Sequence, residues 1–233
     1  QYQGYLFGSY YGHSKSESVC LSNQAVPRLS SSASGAESTL WYYQESRCGA
    51  LNCQPGAYTE YRELGCSVCT APTEGSVYTR WGQETCSVAS GATLVYKGYA
   101  VSGHAGHSGS GPNYLCLPKQ PVHPPYFDDT DNSGTRGLLF GVEYQTSAYG
   151  PVLQSLHNHD AVCVVCQSLG SVVRQWGRND CPAHWSLEYT GYTMAHDYTQ
   201  TKSELVCVDS EPVRVEGTER SDGGSNWHFT EAR

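Results

Sequence analysis

A chain of 233 residues has room for one large domain or two ordinary ones. Its net charge of −8, with 14 basic residues scattered along it, excludes a nucleic-acid partner, which needs clustered Lys and Arg. No run of 18 apolar residues exists, so no membrane span is expected, and 11 cysteines beside a single methionine point to an oxidising, extracellular setting.

In chain order, the first element is the phrase Tyr2-Gln3-Gly4-Tyr5, which returns at Tyr96-Lys97-Gly98-Tyr99 and at Tyr189-Thr190-Gly191-Tyr192. The copies stand 94 and 93 positions apart, and Cys20, Cys116 and Cys207 follow them by 18 to 20 residues. Such a period defines the unit of structure. Copy one continues through a strand at Val19-Cys20-Leu21, a Ser/Gly loop over 30–38, and a strand at Leu40-Trp41-Tyr42-Tyr43 that ends in Glu45-Ser46-Arg47. Cys48 and Cys53 bracket a turn and are expected to bond to each other. Cys66-Ser67-Val68-Cys69 follows, then the β-rich run Ser76 to Trp81 leads to Gly82 and Cys86.

Copy two repeats the order: a strand from Ala92 to Tyr99, the stretch from Gly103 through His104 and His107 to Gly111, and a strand at Tyr114 to Pro118. A Pro/Asp loop over 121–131 precedes a strand at Leu138 to Tyr144, then His157-Asn158-His159-Asp160 and Cys163-Val164-Val165-Cys166. Copy three holds Cys181, the third phrase and Cys207, and stops at Trp227 to Arg233, in line with Trp41 to Arg47. The expected organisation is three units, 1–86, 87–181 and a partial 182–233, packed as one or two compact domains. No stretch shows helical periodicity. The sequence opens on Gln1 and reads as a mature or excised product.

Two cysteine frameworks fit this arrangement. Pairing the cysteine before each phrase with the one after it gives Cys86–Cys116 and Cys181–Cys207, leaving Cys20 over. The other framework sends one member of each Cys-x-x-Cys into a long-range bond, because a bond between such near neighbours is strained. A leftover thiol suggests either an intermolecular bridge or a chain excised from a longer array. A cytosolic zinc ribbon would place its two Cys-x-x-Cys knuckles close together, and here about 100 residues separate them.

The runs Val77 to Gly82, Ser90 to Tyr99, Asn113 to Pro118, His157 to Asp160, Glu188 to Tyr192 and Phe229 to Arg233 resemble the non-collagenous domain of sponge-type short-chain collagens. So do Arg47-Cys48-Gly49 and Cys66 to Cys69. More distantly, the chain is similar to the C-terminal domain of type IV collagen. That resemblance implies an all-β, disulfide-stapled tandem repeat of homologous β subdomains that help chains associate. Two departures stand against it: no Gly-X-Y tract exists, so no collagen triple helix forms, and the half-units run in a shifted order.

The chemistry-bearing residues point to binding and not to catalysis. Ser108 and Ser110 beside His107 lie in a glycine-rich stretch that reads as a flexible loop, without a strained nucleophile elbow. Asp128, Asp129 and Asp131 read as a solvated turn, with weak calcium binding as the alternative. His157, His159 and Asp160 have spacing that suits zinc or copper, although no cofactor is required. Tyrosine and tryptophan beside Gly, Asn and His suit stacking on sugar rings, and repeated shallow sites give avidity. The expected ligand site uses His104, His107 and Asn113 as polar contacts and Tyr114 as platform, with Tyr11 and His13 as its equivalent in copy one. The expected function is a secreted, multivalent, lectin-like protein with glycans or glycoproteins as partners, and homo-oligomers are allowed. The alternatives are an extracellular-matrix assembly module and a histidine-mediated metal-binding protein.

Overall fold

The Tyr-x-Gly-Tyr phrase opens an antiparallel strand pair in each of its three occurrences. The computed structural model describes residues 1–24, 40–47, 58, 60–123, 136–221 and 223–231. Within them, β1 (Tyr2–Gly8) pairs with β2 (Val19–Ser22), β6 (Thr93–Ser102) with β7 (Leu115–Pro118), and β10 (Gly191–Ala195) with β11 (Val206–Asp209). The register is the same in all three: Gly4 faces Ser22, Gly98 faces Pro118 and Gly191 faces Asp209, each two residues past the cysteine. The leading tyrosine repeats its role as well. The hydroxyls of Tyr2, Tyr96 and Tyr189 donate to the carbonyls of Cys20, Cys116 and Cys207 at 3.1, 3.0 and 2.9 Å.

The glycine is required by distance. A Cβ on Gly4, Gly98 or Gly191 would stand 1.7, 2.2 or 1.8 Å from the carbonyl oxygen of Leu21, Leu117 or Val208. No side chain fits there, so the phrase marks a close backbone approach within the sheet.

The remaining strands are β3 (Tyr42–Arg47), β4 (Gly65–Val68), β5 (Ser76–Trp81), β8 (Gly137–Tyr144), β9 (Val162–Ser168) and β12 (Ser225–Phe229). The strands form one twelve-stranded sheet in the order β2-β1-β3-β8-β12-β10-β11-β5-β9-β6-β7, with β4 on β1. A further β6–β8 pairing closes a circuit through β8, β12, β10, β11, β5, β9 and β6. β8 runs at the centre of this arrangement and is buried along its whole length. That explains why Gly-Leu-Leu-Phe-Gly-Val-Glu-Tyr carries no apolar/polar alternation. The only helical element among the described residues is the single turn α1 (Pro151–Gln154).

One core cluster gathers Trp81, Tyr114, Tyr144, Met194, Val208 and Trp227, drawing on all three stretches of the chain. Trp227 is completely buried, its ring 5.9 Å from that of Trp81 and 5.7 Å from that of Tyr144, both edge-to-face. A second cluster holds Leu6, Tyr58, Leu64, Val101 and Leu139.

Among the described residues, three disulfides tie the sheet together: Cys20–Cys66, Cys86–Cys166 and Cys116–Cys163. The expected Cys86–Cys116 and Cys181–Cys207 bonds are corrected. Cys86 and Cys116 are bonded, but to the two cysteines of β9, while Cys181 and Cys207 carry free thiols. Alternation along a strand is the reason. Residues three apart face opposite sides of the sheet, so Cys163 and Cys166 cannot reach each other and take separate long-range partners. The framework that sent one member of each Cys-x-x-Cys into a long-range bond holds for Cys66, while on β9 both members are so bonded. Cys69 is free and exposed. Cys48 and Cys53, together with the loops over 30–38 and 124–131, lie outside the described residues.

Candidate functional site

The connections that follow β1 and β6 were expected to form two equivalent sites, and they meet instead in one place. The amide of Gly109 donates to the Tyr11 carbonyl at 2.8 Å and the amide of Ser16 to that of Ser110 at 3.3 Å. Ser110 is buried with φ +64°, and its Oγ accepts the amide of Leu138 at 2.9 Å while the Ser9 hydroxyl donates to its carbonyl. The Gly-His-Ser-Gly-Ser-Gly stretch is therefore a packed seam, which corrects the flexible-loop reading. Gly109 approaches so closely that a Cβ would lie 1.8 Å from the Tyr10 carbonyl oxygen.

This seam brings together Tyr11, His13, His104 and His107 of the expected site, with Tyr10, Tyr42 and Phe140. The rings of His104 and His107 stack at 4.3 Å, Tyr11 lies 5.1 Å from His107, and Tyr10 lies 4.8 Å from His13. Phe140 backs both imidazoles at 4.9 and 5.7 Å. Burial, then the charges of His107 and Lys15, push His104 down to about 4. Burial likewise lowers His107, and it brings Lys15 to about 8. The imidazoles are thus neutral at pH 7, and the patch presents aromatic edges, with the Lys15 ammonium group buried nearby.

Tyr114 and Asn113 do not join this patch as a platform and its polar contact. Tyr114 is 4 % exposed, its hydroxyl donating to Ser203 Oγ at 3.0 Å and its ring edge-to-face with Trp227 at 5.6 Å. It is a core residue, fixed further by its amide donating to Glu204 Oε1 at 2.8 Å. Asn113 Oδ1 accepts the amide of Ser18 at 3.1 Å, holding the two connections together.

The expected metal set is also corrected. His157 Nδ1 accepts the amide of Thr146, His159 Nδ1 donates to the His157 carbonyl, and the Asp160 amide donates to Thr218 Oγ1. His159 Nε2 stands 3.2 Å from Glu219 Oε1. These groups organise the turn into β9, and among the described residues no three His, Cys, Asp or Glu side chains are placed to hold a metal ion.

His196 is the most enclosed of the shifted imidazoles. Its Nδ1 donates to the Thr201 carbonyl at 2.9 Å and its Nε2 accepts from Ser225 Oγ at 2.8 Å. Burial pushes it down to about 4. Against an unfolded value near 6.5, the unfolded chain binds more protons between those limits. Stability is therefore full above pH 6.5 and declines as pH falls toward 4. His196 alone is expected to cost about 2 kcal/mol at pH 5 relative to pH 7. Urea unfolding at the two pH values checks this, and unchanged stability would contradict it.

One recess among the described residues was missed by the sequence reading. A groove of about 960 Å³ lies among Val77 and Tyr78 of β5, the segment over 168–174, the segment over 178–191, and Cys207. Its floor is ordered. Glu188 Oε2 accepts from the Tyr78 hydroxyl at 2.8 Å and from Ser90 Oγ at 2.5 Å, and the rings of Tyr78 and Tyr189 stack at 6.5 Å. Its walls mix polar side chains such as Arg174, Arg178 and Asp180 with apolar ones open to solvent: Val77, Leu169, Val172, Val173, Trp185 and Leu187 are 37 to 74 % exposed.

Comparison with family models, curated proteins and solved structures finds no match. The groove and the aromatic seam therefore stand on their own chemistry. The signal for the groove was present in the sequence as Leu169, Val172 and Val173, apolar residues with no strand or helix period to bury them.

Proposed function

We propose that this protein is a secreted assembly module that associates with another polypeptide chain through the groove between β5 and the 168–191 segment. The observation that carries this reading is the set of six large apolar side chains left in solvent around one recess. Exposed apolar side chains gathered around one recess and rimmed by polar residues mark protein interaction sites. The disulfides among the described residues suit an extracellular location, and the resemblance to collagen non-collagenous domains carries the same expectation of chain association.

Light scattering over a concentration series tests the reading. The chain of 25.4 kDa is expected to show a mass above that of a single copy as concentration rises. Val173→Asp with Trp185→Asp, both on exposed positions, is expected to weaken association by about 30-fold or more, as loss of a central anchor does. A single-copy mass at every concentration would overturn it.

Glycan binding is the second reading, favoured by the meeting of Tyr11, His13, His104 and His107 in one aromatic seam. A glycan array giving sugar-inhibitable signal from a single-copy protein would move the function there.

A further inference from the structure

The three strand pairs share a register, but only two are complete. On the side of β1 away from β2, β4 pairs with Tyr2 to Tyr5, placing Cys66 opposite Gly4, and Cys66 bonds Cys20. On the side of β6 away from β7, β9 pairs with residues 93–99, placing Cys163 opposite Gly98, and Cys163 bonds Cys116. In both cases an incoming strand with the pattern Cys-x-x-Cys lies beside the phrase, and its first cysteine bonds the cysteine that follows the phrase.

The third pair lacks that strand. β10 meets β11 on one side, while on the other β12 pairs only with Met194 and Ala195; among the described residues nothing pairs beside Gly191 and Tyr192. Cys207, the counterpart of Cys20 and Cys116, is free. Cys181 is free as well. It stands five residues after Trp176, as Cys86 stands five after Trp81. Cys86 is bonded to Cys166, the second cysteine of the strand beside β6. The unfilled position thus offers one thiol for each cysteine of an absent strand, and both thiols line the same groove as Tyr189, Thr190 and Gly191.

We infer that this groove receives a β-strand bearing Cys-x-x-Cys from a second polypeptide, which adds to the edge of β10 and is locked by bonds from its first cysteine to Cys207 and its second to Cys181. The inference rests on the assembly reading and names the partner chemistry for it. Strand addition supplies main-chain hydrogen bonds for affinity, while the alternate side chains set register. A folded second copy of this chain can meet the exposed apolar side chains of the groove, which is what light scattering reads, but it does not supply this strand. Cys163 and Cys166 are both bonded and Cys66 is bonded, so its described residues hold no Cys-x-x-Cys with two free thiols.

Each bond forms by thiol–disulfide exchange. The thiolate of Cys207 attacks the incoming cysteine as its mixed disulfide with glutathione. The new S–S bond forms as the old one breaks, and glutathione leaves as the thiol with the proton that Cys207 gave up. Cys181 reacts in the same way. Burial pushes the Cys207 thiol up, so the exchange is run at mildly alkaline pH.

The probe is the eight-residue peptide of 161–168, Ala-Val-Cys-Val-Val-Cys-Gln-Ser, supplied with oxidised glutathione to the full chain. In Cys69→Ser, which removes the exposed third free thiol, the expected result is loss of two titratable thiols per chain. Non-reducing digestion and mass spectrometry are expected to show the first peptide cysteine on Cys207 and the second on Cys181. In Cys181→Ser, the single bond to Cys207 should persist and still use the first cysteine. Equal amounts of matched and crossed pairing would overturn the inference, as would equal capture of a scrambled peptide. A direct Cys181–Cys207 bond in the presence of the peptide would overturn it too. Concentration-dependent association that survives such an outcome leaves the assembly reading standing, so the two fail separately.

Discussion

Gly98→Ala is expected to destabilise the protein by roughly 3–5 kcal/mol, among the largest effects available to a single methyl group. The added Cβ would sit 2.2 Å from the Leu117 carbonyl oxygen, 2.8 Å from its carbon and 2.9 Å from Cys116 Sγ. Two of those atoms are backbone, and the third is held in a disulfide, so nothing flexible can yield. β6 is also clamped at this point between β7 and β9, with Gly98 facing Pro118 on one side and Cys163 on the other. Gly191 has an equally short approach, 1.8 Å to the Val208 carbonyl oxygen, but a strand on one side only. β10 can shift where β6 cannot, so Gly191→Ala is expected to cost less than Gly98→Ala. Gly150→Ala, where a Cβ meets nothing within 4 Å, serves as the neutral control. Urea unfolding of the three variants checks the order, and a Gly98→Ala midpoint equal to that of Gly150→Ala would refute the close approach.

How much of this was legible in the sequence depended on the range of the interaction. The strand bounds at Ser76 to Trp81 were readable because β-branched and aromatic residues end against Gly82 there. The phrase was readable because glycine at a fixed offset has a local cause, a backbone approach within one strand pair. Tyr114 was misread because tyrosine suits both a wet edge and a core. What decides between them is the company of Trp81 and Trp227, which are distant in sequence. The disulfides were misassigned by the framework that used closeness along the chain, because β9 is inserted between β5 and β6. His104, His107, Tyr11 and His13 lie outside the strands, in the connections that follow β6 and β1. Their convergence into one patch depends on the Gly109–Tyr11 and Ser16–Ser110 hydrogen bonds, which no local pattern encodes. The groove was least legible, since its lining joins β5, the segments over 168–174 and 178–191, and Cys207, which only the fold brings together.

Removing the Cys116–Cys163 bond as Cys116→Ala with Cys163→Ala is expected to cost about 4 kcal/mol, the chain entropy returned to the unfolded state on opening a loop of this length. The two cysteines are separated by 47 residues, and those of Cys20–Cys66 by 46, so the entropic part is the same for both bonds. Burial separates them. Cys163 is fully buried and Cys116 is 8 % exposed within the main core cluster, whereas Cys20 and Cys66 are half-buried. Loss of the inner bond also leaves a void among Trp81, Tyr114 and Val165, which partial relaxation does not fill. The inner double variant is therefore expected to be the less stable of the two, its urea midpoint falling by more than about 1 M. Cys69→Ser, at an exposed free thiol, is expected to leave the midpoint unchanged. Equal midpoints for the inner and outer double variants would mean that chain entropy alone sets the effect. A Cys69→Ser midpoint as low as either would mean that Cys69, and not the observed pairs, closes one of the loops.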